Sequence, residues 1–326
     1  MVRALITGIS GFVGSHLAEY LLNSTEWGVA GTVYGPVDNV AHLKDRLTLY
    51  PVELSRATVV RDILQATRPD YIFHLAAQPS PAVSRHDPWF TLENNIRIQL
   101  NILEAVVQTG LASRVLVVGS GDEYGLVMPH DLPIDEETPL RPTTPYAVSK
   151  IAQDYLGLQY FLLHKVPTIR VRPFNHLGPR QSKGFVAPDF ASQIAEIEAG
   201  LHPPEISVGA LDVSRDLSDV RDIVRGYYLA LTQGEPGEVY NLGSEQERTT
   251  RALLEALISL TKLDVRIVQD PERLRPSEVA RVVADCRKLR ARTGWRAKIP
   301  FDQSLRDLLD YWRGQVAVKK PCKTDS

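Results

Sequence analysis

A serine, a tyrosine, a lysine and an aspartate in this chain have the types and spacing needed to act on one carbonyl group. Ser120 and Asp122 lie in the run Gly119-Ser120-Gly121-Asp122-Glu123-Tyr124-Gly125, and Tyr146 and Lys150 bound the run Tyr146-Ala147-Val148-Ser149-Lys150. Residues four apart on a helix project from one face. The ammonium of Lys150 is therefore expected to stabilise the Tyr146 phenolate and lower its pKa toward that of a working proton donor or acceptor. A serine hydroxyl at the end of a β-strand can hold a developing oxyanion. The chain reads as an enzyme.

A second group of residues implies a cofactor. Gly8-Ile9-Ser10-Gly11-Phe12-Val13-Gly14 falls between a first strand and a first helix. Backbone amides at a helix N-terminus bind a pyrophosphate, and side chains there would block its approach. A dinucleotide is expected on all seven residues. After the second strand, Thr32-Val33-Tyr34-Gly35-Pro36-Val37-Asp38 offers neither the acidic residue that takes ribose hydroxyls nor an arginine for a 2′-phosphate. NAD(P)H is expected, with the choice between NAD and NADP open. Glu53 and Leu54, after the third strand, either approach the adenine or form a solvated loop.

The elements that position these groups follow from alternation. Short β-rich runs at Ala4 to Thr7, Val29 to Tyr34, Leu47 to Pro51, Tyr71 to Leu75, Val115 to Val118 and Thr168 to Arg172 are separated by stretches with apolar residues at helical spacing. Val13, Leu17 and Leu21 form one stripe, Ile96, Leu100 and Leu103 another, Ile151 and Tyr155 a third. Strands alternating with helices predict an α/β fold, a doubly wound parallel sheet covered on both faces. After about Pro173 the pattern becomes turn-rich. A Rossmann-type domain over 1–173 is expected, with 218–243 returning to it, a smaller α/β substrate-binding domain from 174–217 and 244–315, and a disordered tail over 316–326.

Composition narrows the class of partner. With 326 residues and 44% hydrophobic residues the chain can bury a large core. A net charge of -2 gives no general attraction to nucleic acid, and no run of apolar residues is long enough to span a bilayer. Cys286 and Cys322 lie in dissimilar settings, which argues against a disulfide framework and for a reducing, cytoplasmic location. No metal site is expected.

The glycine-rich turn, Ser120 and the Tyr-x-x-x-Lys pair together resemble the extended short-chain dehydrogenases/reductases, over nearly the full length. The second half is similar to the group acting on GDP-mannose derivatives, through Arg172-Pro173-Phe174-Asn175-His176-Leu177-Gly178-Pro179-Arg180-Gln181, Gly184-Phe185-Val186, Arg215-Asp216, Asp219-Val220-Arg221-Asp222 and Arg273-Leu274-Arg275-Pro276-Ser277-Glu278-Val279. The resemblance implies a Rossmann-type fold, a GDP-sugar substrate and a homodimer. It adds Leu75, Ala76, Ala77 and Asn95 to the cofactor side. It points to Asn175, Gln181, Lys183, Val186, Arg215, Arg275 and Glu278 as substrate-binding residues, the arginines because guanidinium forks pair with phosphate oxygens. His74 and His176 read as structural histidines.

The implied reaction is reduction of the C4 ketone of GDP-4-keto-6-deoxy-D-mannose to GDP-D-rhamnose. Ser120 and Tyr146 would act on the ketone oxygen, and Lys150 would bind the nicotinamide ribose. Dehydration of GDP-mannose and 4-epimerisation are alternatives for the same core, and a non-catalytic dinucleotide sensor is the alternative from another class. Related dehydratases carry Glu where Asp122 stands, and those acting on dTDP-glucose carry Asp where Gly121 stands. Gly121 removes that acid, and Asp122 is shorter than Glu by about 1.5 Å of reach, so elimination is disfavoured.

Overall fold

The computed structural model describes residues 1–273 and 281–319. Strands β1 (Arg3–Thr7), β2 (Gly28–Val33), β3 (Leu47–Pro51), β4 (Tyr71–His74) and β5 (Arg114–Val118) alternate with helices α1 (Phe12–Ser24), α2 (Ala57–Thr67), α3 (Pro81–His86) and α4 (Pro88–Thr109). Helix α5 (Pro145–His164) leads into β6 (Thr168–Pro173). The second half holds β7 (His176–Leu177), α6 (Val186–Glu198), β8 (Glu205–Val208), β9 (Ser214–Asp216), β10 (Ser218–Asp219), α7 (Val220–Gln233) and β11 (Val239–Leu242). It continues through β12 (Glu247–Thr249), α8 (Thr250–Ile258), β13 (Arg266–Gln269), α9 (Arg287–Thr293) and α10 (Phe301–Lys319).

Among the described residues the central sheet has seven strands in the order β11-β6-β5-β4-β1-β2-β3, all parallel. Strands β6 and β11 are buried along their whole length, as strands covered on both faces are. Ile6, Phe73, Leu116 and Ile169 pack on one face with Leu17 and Leu21 of α1 and Ile223 and Tyr227 of α7. Their neighbours Leu5, Ile72, Val115 and Val117 pack on the other with Ile63 of α2 and Ile102 and Leu103 of α4. Each such side chain, fully buried, stabilises the fold by about 1.5–3 kcal/mol. This is the Rossmann-type α/β sheet expected. A separate apolar cluster joins α6, α8 and α10 through Phe190, Ile194, Leu253, Leu257, Leu305 and Trp312.

Two helical stripes differ from expectation. On α4 the buried face carries Asn95, Ile98, Gln99, Ile102 and Leu103, while Leu100 is exposed. On α5 it carries Tyr146, Lys150, Gln153, Asp154 and Gly157, while Tyr155 is exposed. On α4 the buried face keeps Leu103 of the expected stripe but not Leu100, and on α5 it is largely polar, so apolar periodicity located these faces only in part. The last helix runs through Lys319 with Val316 buried, so no irregular tail begins at residue 316.

Strand order reverses at β1, which has β4 on one side and β2 on the other. Ligands in open α/β sheets bind outside the strand C-termini at such a point. Here those ends carry the Gly8–Gly14 turn after β1, Leu75–Ala77 after β4 and Ser120 after β5.

Candidate active site

The glycine-rich turn is shaped for close backbone approach. Gly8 has φ +69, which an L side chain rarely adopts, and a Cβ there would lie 3.1 Å from Ala76 Cα. A Cβ on Gly14 would lie 2.9 Å from Ile9 Cα, so the first turn of α1 can sit against the strand end only with glycine. Helix α1 begins at Phe12, and Gly11 before it offers no side-chain cap. Its first amides lack intrahelical partners, and these donors together with the positive end of the helix dipole fit a diphosphate. Thr32 anchors the turn from β2, its carbonyl accepting from Ile9 N at 3.1 Å.

Thr7 joins this turn to the end of β4. Its hydroxyl oxygen accepts from the amides of Leu75 and Ala76, both at 3.1 Å. With both lone pairs engaged, its proton goes to His74 Nδ1 at 2.8 Å. His74 is buried and its pKa is pushed down to about 3 by that burial and then by the Lys150 charge. It is a structural, neutral histidine, as is His176, whose Nδ1 bonds Phe174 O at 2.9 Å.

Other residues expected on the cofactor side have different partners. Asn95 is fully buried; its Oδ1 accepts from Gln78 N at 2.7 Å, and its Nδ2 donates to Gln78 O and to Ser149 Oγ at 3.0 Å. Both ends of the amide are engaged within the protein, so Asn95 ties the loop after β4 to α5. Leu54 packs in the core, its carbonyl accepting from Asn101 Nδ2 at 2.8 Å, and Glu53 accepts from Ser55 Oγ at 2.8 Å.

Around Ser120 the chain turns through a short 3-10 helix, Gly121–Tyr124. Ser120 Oγ accepts from Asp122 N at 3.1 Å, and Glu123 Oε1 accepts from Ser120 N at 2.8 Å. This is a reciprocal cap, and the spacing Ser-x-x-Glu was its signal in the sequence. Tyr146 enters from the first turn of α5, which starts at Pro145 with Thr144 capping Ala147 N at 3.1 Å. The Tyr146 hydroxyl hydrogen-bonds Ser120. Ser120 and Tyr146, 26 positions apart in sequence, thus meet beyond the end of β5.

Lys150 corrects one expectation. Its Nζ lies 5.9 Å from the Tyr146 ring centroid and donates to Val118 O and Gln153 Oε1, both at 2.9 Å. Burial, then the Asp122 charge, push the Tyr146 hydroxyl above its usual range, with the Ser120 hydrogen bond opposing them. Burial outweighs any effect of the ammonium here, and the phenol stays protonated. Lys150 itself is lowered to about 8 by burial, against the Glu123 charge that favours its ammonium form.

Phe174 decides what position 121 can hold. A Cβ on Gly121 would lie 3.1 Å from Phe174 Cγ, and the Phe174 ring is 2% exposed. A side chain at 121 would start in tight contact with that aromatic ring.

Several of the residues expected on the substrate side have partners of their own. Gln181 is buried, with Nε2 donating to His176 O at 3.1 Å. Lys183 pairs with Glu196 at 2.6 Å and lies over the Trp312 ring. Arg215 Nη1 donates to Ser214 O at 2.8 Å, while Asn175 and Val186 are exposed. Arg275 and Glu278 lie outside the described residues. Sequence reasoning missed Glu123, Gln153, Thr7 and Phe174 as groups that shape the site.

Fold and site together define a Rossmann-type short-chain dehydrogenase/reductase. The chain belongs to the GDP-mannose 4,6 dehydratase family, whose model matches residues 5–308. It is 39% identical over 315 residues to a GDP-6-deoxy-D-mannose reductase of Pseudomonas aeruginosa, covering 96% of this chain and 98% of the relative. It is 29% identical to GDP-mannose 4,6 dehydratase 1 of Arabidopsis thaliana, covering 94% and 88%. The structure of RMD from Pseudomonas aeruginosa complexed with NADPH superposes with a TM-score of 0.86 at 37% identity, covering 97% of this chain and 100% of that one. Among the described residues no helix is long and apolar enough to cross a membrane.

Proposed function

We propose that the protein reduces the C4 ketone of GDP-4-keto-6-deoxy-D-mannose with NAD(P)H, giving GDP-D-rhamnose. The observation that carries this choice is the Phe174 ring packed against Gly121, which crowds out a side-chain acid at position 121. The 39% identity to a GDP-6-deoxy-D-mannose reductase, spread over 96% of the chain, supports the same reading.

The amides of residues 9–14 would hold the diphosphate of a dinucleotide, which when bound would supply the hydride for the ketone carbon. As the carbonyl electron pair moves to oxygen, Ser120 Oγ donates a hydrogen bond to it and Tyr146 transfers its proton, leaving a phenolate. A protonated Lys150 close to that phenolate favours the transfer. Proton return from solvent restores Tyr146. Asn175, Gln181, Lys183, Val186, Arg215, Arg275 and Glu278 are assigned to the GDP-sugar side, and the substrate-binding domain to 174–217 and 244–315.

Asp122 supports a second reading. Its charge acts on Tyr146, so a carboxylate stands near the proton donor, where a dehydratase needs a base. The two readings separate in one experiment. Purified protein mixed with the ketosugar and NADH or NADPH should consume reduced nicotinamide, and NMR should identify GDP-D-rhamnose. No oxidation with either cofactor, together with a 4-keto product from GDP-mannose alone, would establish the dehydratase instead.

A second copy of the chain is the proposed partner. Leu100 and Val107 on α4 and Val148, Tyr155 and Leu162 on α5 are exposed apolar residues on helices packed side by side. Light scattering on the eluted protein should give a dimer mass. A cytoplasmic location is part of the same proposal.

A further inference from the structure

Glu123 is fully buried at the base of the Ser120 turn, and the mechanism above gives it no task. Its neighbours define one. Oε1 accepts from Ser120 N at 2.8 Å. Oε2 lies 3.1 Å from Arg172 Nε but has no hydrogen-bond partner. The Arg172 Nε proton is directed instead to Asp154 Oδ2 at 3.0 Å, and Asp154 Oδ1 is taken by Arg170 Nη1 at 2.5 Å. Arg172 also donates through Nη1 to Tyr124 Oη at 3.2 Å. Asp154 thus takes protons from both arginines of β6 while Arg172 stays beside Glu123, and Lys150, on Val118 O, flanks the same turn that Glu123 bonds at Ser120 N.

The ammonium of Lys150 is held by two neutral oxygens, Val118 O and Gln153 Oε1, each at 2.9 Å. Neutral acceptors orient a buried cation without balancing its charge. Charged and titratable groups approach this cluster from every side: Tyr146 and Asp154 on α5, His74 on β4, Arg170 and Arg172 on β6, Asp122 and Glu123 on the 3-10 turn. His74 is neutral and bonded to Thr7. Two carboxylates, Glu123 and Asp154, therefore face two guanidinium groups and one ammonium. Once ionised, Glu123 is an anion whose charge favours the ammonium form of Lys150.

We propose that Glu123 is a positioning residue for the reaction, its carboxyl fixing Ser120 through the backbone amide and holding Lys150 in its ammonium form from the buried side. Burial and Asp154 raise Glu123 itself to about 8, while Arg172, the Ser120 amide and Lys150 pull it down. As pH rises, ionisation of Glu123 strengthens the hold of Lys150 on its proton.

The catalytic arm of the test rests on the proposed reduction; the spectroscopic arm does not. In protein carrying 13Cε-lysine, assigned through Lys150→Arg, Glu123→Gln should lower the Lys150 titration midpoint by about one unit or more. The alkaline limb of kcat should move down by the same amount, with KM changed less than about twofold, because substrate contacts are untouched. A residue that only packs the turn would lower kcat at all pH values without moving the limb. An unmoved Lys150 midpoint overturns the proposal. If Glu123→Gln does not fold, the reciprocal measurement decides: the Glu123 carboxyl carbon should titrate higher in Lys150→Met than in wild type, and an unchanged midpoint overturns the proposal. If wild type reduces no GDP-ketosugar, the proposed reaction fails while the titrations still answer the question about Glu123.

Discussion

Phe174 and Gly121 are in direct contact across the turn that carries Ser120: the ring carbon Cγ lies 3.1 Å from where a Cβ at 121 would be. Phe174 also stacks on Tyr124, the last residue of the same turn, at a centroid distance of 6.0 Å.

Gly121→Ala should therefore destabilise the protein by about 1–3 kcal/mol, the usual effect of overpacking a filled core. Gly121→Asp should lose reduction without gaining dehydration, because its carboxylate has to leave the space Phe174 occupies. Chemical denaturation and NMR analysis of products from GDP-mannose check both statements. A Gly121→Asp protein that forms the 4-keto product would contradict the steric account.

Tyr146→Phe removes the proton donor and leaves the ring. Reduction should fall by roughly 10²–10⁴-fold, while dinucleotide affinity, followed by protein fluorescence, stays within about twofold. A wild type that binds the dinucleotide and turns over no nucleotide sugar would instead favour a sensor.

His16 gives the protein an acid-sensitive joint. Its Nε2 donates to Pro179 O and its Nδ1 accepts from Arg180 Nη2, both at 2.9 Å, so the neutral ring is the form that fits. Burial, then the Arg180 charge, lower its pKa from 6.5 to about 4. Between those values the unfolded chain binds a proton that the native ring does not, so stability falls as pH drops through this window. The loss reaches about 3 kcal/mol by pH 4. Urea unfolding across this range should show a shallower pH slope in His16→Gln, and an unchanged slope would rule His16 out as the source.

Asn95→Ala should destabilise the protein by about 1–3 kcal/mol, since Gln78 N and Gln78 O lose their partner in a buried setting. Dinucleotide affinity should change less than about threefold if Asn95 acts through the loop and α5 and makes no contact with the cofactor. Calorimetric titration with NADPH, beside urea unfolding, separates the two effects.

The residues legible in sequence were those whose meaning is local. The Gly8–Gly14 turn, the strand cores around Ile6, Phe73 and Leu116, and the four-residue step from Tyr146 to Lys150 all depend on neighbours within a few positions. What sequence did not reveal depends on distant pairing. Arg172 finds Asp154 across 18 positions and Glu123 across 49, and no periodicity encodes that. The same cause misled the helix stripes, because Asn95, Gln99, Gln153 and Asp154 are polar residues on buried faces. Glu123 was partly readable as the end of a Ser-x-x-Glu cap, although that pattern says nothing about Lys150.

Gly119 lies against the Glu123 carboxyl, and Oε1 of that carboxyl fills the place where a side chain at 119 would begin. The two positions therefore cannot vary independently. In a library randomised at both, functional clones that keep Glu123 should keep Gly119, whereas any side chain at 119 should appear only with a smaller residue at 123. The buried acid thus constrains which mutational routes lead out of this active site.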